Sequence, residues 1–244
     1  MDKKRFEDNF LYEQFYWWFV GRRKIVCNLI VKFFKKSDNA VALDVGCGTG
    51  IVLNDLREHA VAVGMDLSPV AINLAMARGH RNLLCGDICS LPFEDESFDL
   101  VTMLGVLYNA GVKSDDTAIM ESCRVLKKGG IIIIDEAAFN SLQSRHNISV
   151  GGIRRYSRSQ LIDKCKKCGF EILKASYWNM LMLPAFYLIA KLENISTKQY
   201  SKLTGIPKSI NVVLKAYLYL EAFLLKYTNL PFGPSVIIVG RKCK

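Results

Sequence analysis

Short apolar runs recur along the first 140 residues of the chain, and helix-compatible segments separate them. Runs of this length, rich in valine, isoleucine and leucine, are typical of strands that are buried on both faces of a sheet. Strands alternating with helices predict βαβ units, and therefore a doubly wound α/β fold around a mostly parallel sheet. The five runs are residues 41–45, 60–66, 82–87, 98–104 and 131–135.

Helices are predicted around this sheet. Residues 6–36 are aromatic and amphipathic, and Gly21 is predicted to break them into two helices. A helix over residues 115–127 is predicted to stop at Gly129-Gly130. Ser157 and Gln160 have the spacing of a capping box, which predicts a helix from that point through Lys167.

The first predicted strand leads directly into Gly46-Cys47-Gly48-Thr49-Gly50, and a helix-compatible segment follows. Glycine accepts positive φ and lets a ligand approach the backbone, and the helix N-terminus behind the turn offers free N–H groups. A carboxylate inside the apolar strand, Asp44, needs a partner, so we expect it to anchor the loop or to meet a cationic ligand. The alternative is a tight strand–helix turn that binds nothing.

Polar or pocket-lining residues follow the next strands at corresponding places. Asp66 closes the second strand 20 residues beyond Gly46, a spacing that suits a carboxylate accepting hydrogen bonds from a ribose diol. Asp87 closes the third strand and Leu104 the fourth. Ligands of such sheets bind outside the carboxyl ends of the strands, so these residues are expected to surround one pocket.

Charge and cysteine usage add limits. The net charge of +10 is uneven, because residues 37–150 carry −7 whereas 1–36 carry +5 and 151–244 carry +12. Basic surfaces attract nucleic acid, anionic lipid or phosphorylated molecules. The eight cysteines are scattered and the N-terminus lacks a signal-peptide apolar core, which indicates a cytoplasmic protein. Cys165 and Cys168 form the one metal-like pair, and without a second pair no metal site is predicted.

Four motifs in order, from Asp44 to Gly50, at Asp66, over residues 86–101 and over residues 124–130, resemble the class I S-adenosylmethionine-dependent methyltransferases. The dehydrogenase form of the glycine motif fits less well, since it would need glycine where Ile51 stands. The resemblance implies a seven-stranded Rossmann-like sheet with an antiparallel last strand. Residues 170–178 and 235–241 would supply its last two strands.

The resemblance also implies roles for the pocket residues. The segment Gly46 to Gly50, including Cys47, would approach the methionine and ribose parts of S-adenosylmethionine, with Asp44 behind it. Asp66 and the adjoining Leu67 would take the ribose, Asp87 with Ile88 the adenine edge, and Leu104 the pocket wall. From the N-terminal helices, Arg22 or Arg23 would reach a ligand carboxylate, with Arg23 chosen for the cofactor site.

The flanks resemble a bacterial-type subgroup of small methyltransferases, in Tyr16-Trp-Trp-Phe-Val-Gly-Arg-Arg23, in residues 154–158 and in residues 230–235. Two departures remove histidines that related enzymes often have, because Leu107-Tyr108-Asn109 and Gly151-Gly152 stand in their places. His146 and Tyr108 are the candidate acceptor bases, and His80 is expected to lie on the surface or in a turn. Candidates for acceptor binding are Asn109, Asn147, Arg154 and Arg155.

The chain is predicted to comprise an N-terminal helical lid (1–36), a cofactor-binding core (37–174), an apolar helical elaboration (175–233) and a final core strand (234–244). We expect a methyltransferase that acts on a small-molecule or lipid-linked, anionic acceptor. The competing interpretation is a non-catalytic binding protein with this fold. A nucleic-acid acceptor is disfavoured because no Asn/Asp-Pro-Pro-Tyr-type motif follows the fourth strand.

The elaboration is apolar but interrupted by Pro184, and charges lie inside its second half, so a bilayer span is not expected. Its helices would cover the sheet, form a dimer interface or lie on the inner face of a membrane. An apolar surface edged with lysines is typical of the last of these. The lysines are Lys191, Lys198, Lys202, Lys208, Lys215 and Lys226.

Overall fold

A computed structural model describes residues 3–149, 151–195 and 206–243. Its centre is a seven-stranded sheet in the order β3-β2-β1-β4-β5-β7-β6. The strands β1 to β6 run parallel, and β7 lies antiparallel between β5 and β6. The seven strands are β1 (Val41–Val45), β2 (Val61–Asp66), β3 (Leu83–Cys85), β4 (Phe98–Leu104), β5 (Leu126–Ala137), β6 (Phe170–Trp178) and β7 (Ser235–Lys242). The predicted fold class is therefore confirmed.

Helices cover both faces of this sheet. Because side chains alternate along each strand, Leu100 and Ile133 pack in one apolar layer while Val101 and Ile134 pack in the other. The helices are α1 (Lys3–Tyr12), α2 (Trp17–Phe33), α3 (Ile51–Leu56), α4 (Pro69–Ala77), α5 (Asp115–Val125), α6 (Arg145–Ser149), α7 (Arg158–Lys167), α8 (Leu183–Ile195) and α9 (Lys208–Leu224). The capping box before α7 is confirmed, since Ser157 and Gln160 make both reciprocal bonds.

Gly21 does not break the N-terminal helices, and that prediction was wrong. α2 continues through Gly21, where a Cβ atom would lie 2.1 Å from Leu218 Cδ1 of α9. The glycine therefore permits close packing of two helices rather than a turn. The chain turns instead between Tyr12 and Trp17, before α2 begins.

The end of α5 also differs from the prediction. The helix ends at Val125, and β5 begins at Leu126, before Gly129-Gly130 rather than after them. The pairing of β4 with β5 shifts register between Phe98 and Leu100, so the glycines lie in an irregular part of the strand.

Two features of the C-terminal half also differ from the predicted ones. β6 extends to Trp178, four residues beyond the predicted core boundary at 174. Pro184 lies in the first turn of α8 and so does not interrupt that helix, a position where its missing N–H costs nothing. Within the described residues, none of the helices has both the length and the apolar content needed to cross a membrane.

Candidate functional site

The glycine loop after β1 is closed by protein at both ends and open in the middle. Gly46 and Gly50 have φ of +73° and +80°, and Gly50 caps α3. A Cβ on Gly50 would lie 2.9 Å from Ala75 Cβ, whereas a Cβ on Gly48 would meet nothing within 4 Å. The loop therefore needs glycine at its ends for packing and φ, and at Gly48 it borders open space that a ligand can occupy.

Asp66 ties the tip of β2 to this loop. Its Oδ2 accepts a hydrogen bond from Gly48 N at 2.9 Å, and its Oδ1 accepts one from Ser68 N at 2.9 Å. Burial raises the pKa of this carboxyl, and the two backbone donors oppose that rise. An ionised carboxylate has about four acceptor positions, so Asp66 can hold the loop and still accept bonds from two ligand hydroxyls.

Asp44 and Leu104 lie at the ends of the neighbouring strands β1 and β4. Asp44 is buried and accepts a hydrogen bond from Thr102 Oγ1 at 2.6 Å. Burial raises the pKa of Asp44 to about 7, and the threonine hydroxyl opposes the shift. Leu104 and Cys47 are also buried, and burial followed by the nearby carboxylates Asp44 and Asp66 raises the pKa of the Cys47 thiol. Asp44 therefore has the hydroxyl of Thr102 as a partner inside the protein, which fits its expected role as an anchor behind the loop.

Asp87 follows β3, at the edge of the sheet. Its Oδ1 accepts a hydrogen bond from Cys89 N at 2.9 Å, which lowers the pKa of Asp87, and its Oδ2 lies 3.2 Å from Lys113 Nζ. The next residue, Ile88, is buried, whereas Leu67 after β2 is 54% exposed. Asp87 and Ile88 therefore belong to a capped turn. This turn lies against the end of β2, because Gly86 N donates to Asp66 O at 3.1 Å.

The two adjacent arginines of α2 have different surroundings. Arg23 is engaged at both ends of its guanidinium, since Nε and Nη2 each lie 2.6 Å from an oxygen of Asp55. It lines a cleft of about 500 Å³ with α1, α3 and α4 residues. Arg22 stacks on Trp18 at 4.7 Å and directs Nη1 toward Leu104 O at 3.5 Å.

Arg22 is also the arginine whose charge acts on the carboxylates at the strand ends. It lowers the pKa of Asp44 and of Asp135, although burial outweighs it at both. Its Nε is buried, and no residue in the described part of the chain accepts a hydrogen bond from it. A buried donor without a partner is unusual and fits a site where a ligand oxygen binds.

Sequence reasoning missed two buried acids at the end of β5. Asp135 Oδ1 accepts a hydrogen bond from Trp178 Nε1 at 2.6 Å, and burial raises its pKa to about 6. Glu136 accepts bonds from three backbone N–H groups, at 2.9 Å from Val106, 2.7 Å from Leu107 and 3.1 Å from Tyr108. Glu136 thereby fixes the segment that follows β4. The signal in the sequence was a pair of acids directly after four isoleucines.

This segment and the loop before α7 form one wall, which we call the acceptor wall (residues 106–112 and 151–155). Tyr108 O accepts Ile153 N at 2.9 Å, and Ala110 N donates to Gly151 O at 2.7 Å. The side chain of Asn109 bonds to Gly111 N at 2.9 Å, and Tyr108 is half-buried. The structure thus brings the adjacent residues Tyr108 and Asn109 together with Arg154 and Arg155, and Asn109 and Arg154 are 45 positions apart in sequence.

The two arginines of this wall bind neutral groups. Arg154 Nη1 donates to Asn109 O at 3.1 Å, and Arg155 donates to Gln143 Oε1 at 2.8 Å and to Ala138 O at 2.9 Å. Burial lowers the pKa of Arg155 to about 10. Among the ion pairs of the described residues, none includes Arg154 or Arg155, so their charge is available to an anion.

The sequence singled out two histidines, and the structure describes the side chain of one of them, His80. His146 belongs to the short helix α6, and its side chain lies outside what the structure describes. Its neighbour Asn147 donates Nδ2 to Leu142 O at 3.3 Å. His80 is not on the surface, as one reading of the sequence had it, but is 2% exposed. It packs under Gly50, and burial lowers its pKa.

The cysteines Cys165 and Cys168 lie at the C-terminal end of α7. Cys165 is buried among apolar residues and Cys168 is half-buried at the helix end. Burial raises the pKa of both thiols. Among the described residues, no group of three or more histidine, cysteine or acidic side chains could hold a metal ion.

Comparisons with known proteins show the family of the chain. A family model described as a methyltransferase domain matches residues 43–134, which contain the glycine loop, Asp66, Asp87 and Leu104. A putative methyltransferase of Encephalitozoon cuniculi is 32% identical over 157 residues, covering 55% of this chain and 71% of that protein.

Two further relatives have different stated activities. A probable tRNA methyltransferase 9B of Homo sapiens is 33% identical over 101 residues, 41% of this chain and 22% of that protein. A 24-methylenesterol C-methyltransferase 2 of Oryza sativa is 30% identical over 154 residues, 54% of this chain and 41% of that protein. The chain thus spans less than half the length of these two relatives.

The fold is shared with solved structures over nearly the whole chain. One is the putative methyltransferase in a complex with the Haloferax volcanii Trm112 methyltransferase activator, at a TM-score of 0.64 and 17% identity. The match covers 99% of this chain and 95% of that chain. At this identity the likeness concerns the fold alone.

Proposed function

The chain belongs to the class I S-adenosylmethionine-dependent methyltransferases, and from that premise we propose that its acceptor is an anionic small molecule or lipid-linked molecule. The observation that carries the proposal is the acceptor wall. It sets Arg154 and Arg155, held by neutral groups, on the loop that binds back to Tyr108 after β4. Guanidinium groups match carboxylate and phosphate geometry and keep their charge at every working pH.

The strand ends have the features that the cofactor would need. Asp66 has acceptor positions left for ribose hydroxyls, and Gly48 borders open space. Asp87 and Ile88 would meet the adenine edge, with Leu104 as a wall. Arg22, whose buried Nε lacks a protein partner among the described residues, would take the methionine carboxylate. S-adenosylmethionine, when bound, supplies a methyl group that is already activated on sulfur.

The chain's own residues then have limited tasks, which are to position the acceptor, to exclude water and, for a hydroxyl acceptor, to accept its proton. Glu136 holds the backbone of residues 106–108, and so sets where Tyr108 stands. Tyr108 and His146 are the proposed proton acceptors, and Asn109 with the two arginines orients the acceptor. Asp44 and Asp135 have protein partners at the strand ends and support the cofactor side.

A nucleic-acid acceptor is the second candidate, because one relative is named a tRNA methyltransferase and residues 151–244 carry a net charge of +12. The two acceptor classes can be separated directly. Methyl-labelled cofactor, incubated with the protein and cell extract, should label the lipid or small-acid fraction, and nuclease treatment should not release that label. Label confined to nuclease-sensitive material would overturn the proposed acceptor class.

The two arginines of α2 provide a matched test of the cofactor site. Arg22→Met keeps an apolar stem on Trp18 but removes the guanidinium, so affinity for S-adenosylhomocysteine should fall about 10–100-fold, the worth of about one charge-assisted hydrogen bond. Arg23→Met should lower stability, because it leaves Asp55 without its partner, and keep the affinity within about twofold. Isothermal titration calorimetry measures both.

The reverse pattern would assign the carboxylate to Arg23, as the sequence alone indicated. Two unchanged affinities would remove α2 from the cofactor site altogether. Thermal unfolding of each variant without ligand separates a lost contact from a lost fold.

A further inference from the structure

One face of α9 is apolar and has no partner within the described chain. The opposite side of the helix packs on α2, where Asn28 Nδ2 donates to Ala222 O at 3.0 Å and Leu218 covers Gly21. Large apolar side chains on the free face are 42–66% exposed. They are Ile210, Val212, Val213, Tyr219, Leu220, Phe223 and Leu224. A helix that is apolar on nearly all sides is normally covered by something.

The turn into α8 extends this face. Glu221, buried on α9, accepts hydrogen bonds from Asn179 N and from Met180 N, and Leu181 N donates to Tyr217 Oη at 3.0 Å. These bonds hold the turn against the C-terminal half of α9. Leu181 is 62% exposed there. We call α9 and residues 179–183 the α9 face.

The charges that the α9 face presents to solvent are of one sign. Lys208 and Lys215 of α9, and Lys226 just beyond the end of the helix, are seven and eleven residues apart, which places them along one stripe at the edge of the apolar surface. The acidic residue of α9, Glu221, is 4% exposed, so its carboxylate is not presented to a partner. Lys32 of α2 also reaches this end, because its Nζ donates to Lys226 O.

We propose that the α9 face docks on an anionic membrane surface. Apolar side chains that enter the headgroup region and lysines that meet anionic lipid are the two attractions of an interfacial helix, and the α9 face offers both. A second copy of the chain fits less well, because two such faces would bring lysines together with no exposed carboxylate between them.

Docking would also orient the site. Asn211 of α9 accepts a hydrogen bond from Trp17 N at 2.8 Å and donates to Phe15 O at 2.9 Å, so α9 is fixed to the start of the helix that carries Arg22. This orientation rests on the proposed lipid-linked acceptor, whereas the docking itself does not. With such an acceptor, the pocket would stand beside the bilayer that holds it.

Vesicle flotation tests the docking with the full chain. The protein should float with phosphatidylcholine vesicles that contain about a quarter phosphatidylglycerol at about 50 mM salt, stay unbound with pure phosphatidylcholine, and be released at about 1 M salt. Lys208→Glu/Lys215→Glu should weaken binding to anionic vesicles about tenfold or more. Leu220→Ser/Phe223→Ser, at exposed positions, should weaken it as well.

The matched control is Lys166→Glu/Lys167→Glu on α7, which makes the same change in net charge at exposed positions away from α9. This variant should float like the unchanged protein. Equal loss in both lysine variants would reduce the effect to overall charge, and so overturn the proposal. A wild-type protein that ignores anionic vesicles at low salt would overturn it too.

Two measurements keep the outcomes apart. Sedimentation that shows a dimer dissociated by Leu220→Ser/Phe223→Ser, without flotation, would assign the face to a second copy and overturn membrane docking. Calorimetry with S-adenosylhomocysteine on the same samples tests the cofactor site separately. Flotation without cofactor binding would support membrane docking and overturn the proposed function. Cofactor binding without flotation would support the proposed function and overturn membrane docking.

Discussion

Asp66→Ala should abolish most of the affinity for S-adenosylhomocysteine. The Asp66 carboxylate at the tip of β2 would accept two hydrogen bonds from ribose hydroxyls. A hydrogen bond to a charged group is worth about 1.5–3 kcal/mol. Losing both corresponds to a fall of about 10²–10⁴ in affinity. The loss of the bond to Gly48 N would also loosen the glycine loop, which adds to the effect.

Asp99 supplies the control for this variant. Asp99 lies at the N-terminal end of β4, whereas Asp66 lies at the C-terminal end of β2. Asp99 Oδ2 accepts hydrogen bonds from Val41 N at 2.9 Å and from Lys127 Nζ at 2.8 Å. Asp99→Ala therefore removes a comparable set of contacts without touching the strand ends that face the cofactor. Its affinity should stay near that of the unchanged protein while its stability falls. Equal affinity of Asp66→Ala and the unchanged protein would contradict the ribose assignment.

The sequence predicted the sheet well because its strands are short, strongly apolar and bounded by acids or glycines. The bounds of β1 and β4 match residue for residue. β6 matches as well, but its range came from the family resemblance and not from a local pattern. The glycine loop was equally clear, since a strand, three spaced glycines and a helix start leave few other structures. Local patterns determine these elements.

Contacts between distant residues determine what the sequence could not show. Gly21 looked like a helix breaker, but it stays in α2 because Leu218 packs against it from almost 200 residues away. Adjacent residues of a helix point about 100° apart, so no local pattern could decide whether Arg22 or Arg23 faces the strand ends. The bond from Trp178 Nε1 to Asp135 likewise depends on β6 and β7 joining the sheet beyond β5.

Glu136→Ala should destabilise the protein more than any other substitution considered for the site. Three buried backbone N–H groups would lose their acceptor, and each unsatisfied donor costs about 1–3 kcal/mol. We expect the free energy of unfolding to fall by about 3 kcal/mol or more in urea titrations. Glu136→Gln should cost about 1 kcal/mol, because its amide oxygen can still serve Val106 and Leu107 but its NH₂ cannot accept from Tyr108 N.

The pH dependence of the same variants tests the electrostatics. Burial raises the pKa of Glu136 from 4.5 to about 8, so between these values the folded protein binds a proton that the unfolded chain releases. The stabilisation that comes from protonated Glu136 is fully present below the pKa of this group in the unfolded chain. It is lost as the pH rises through the pKa of Glu136 in the folded protein. Glutamine does not titrate. The unchanged protein should therefore lose stability relative to Glu136→Gln as the pH increases from about 5 to about 8. Parallel stability curves would show that Glu136 is already ionised in the folded protein, with its three N–H donors outweighing the cost of burial.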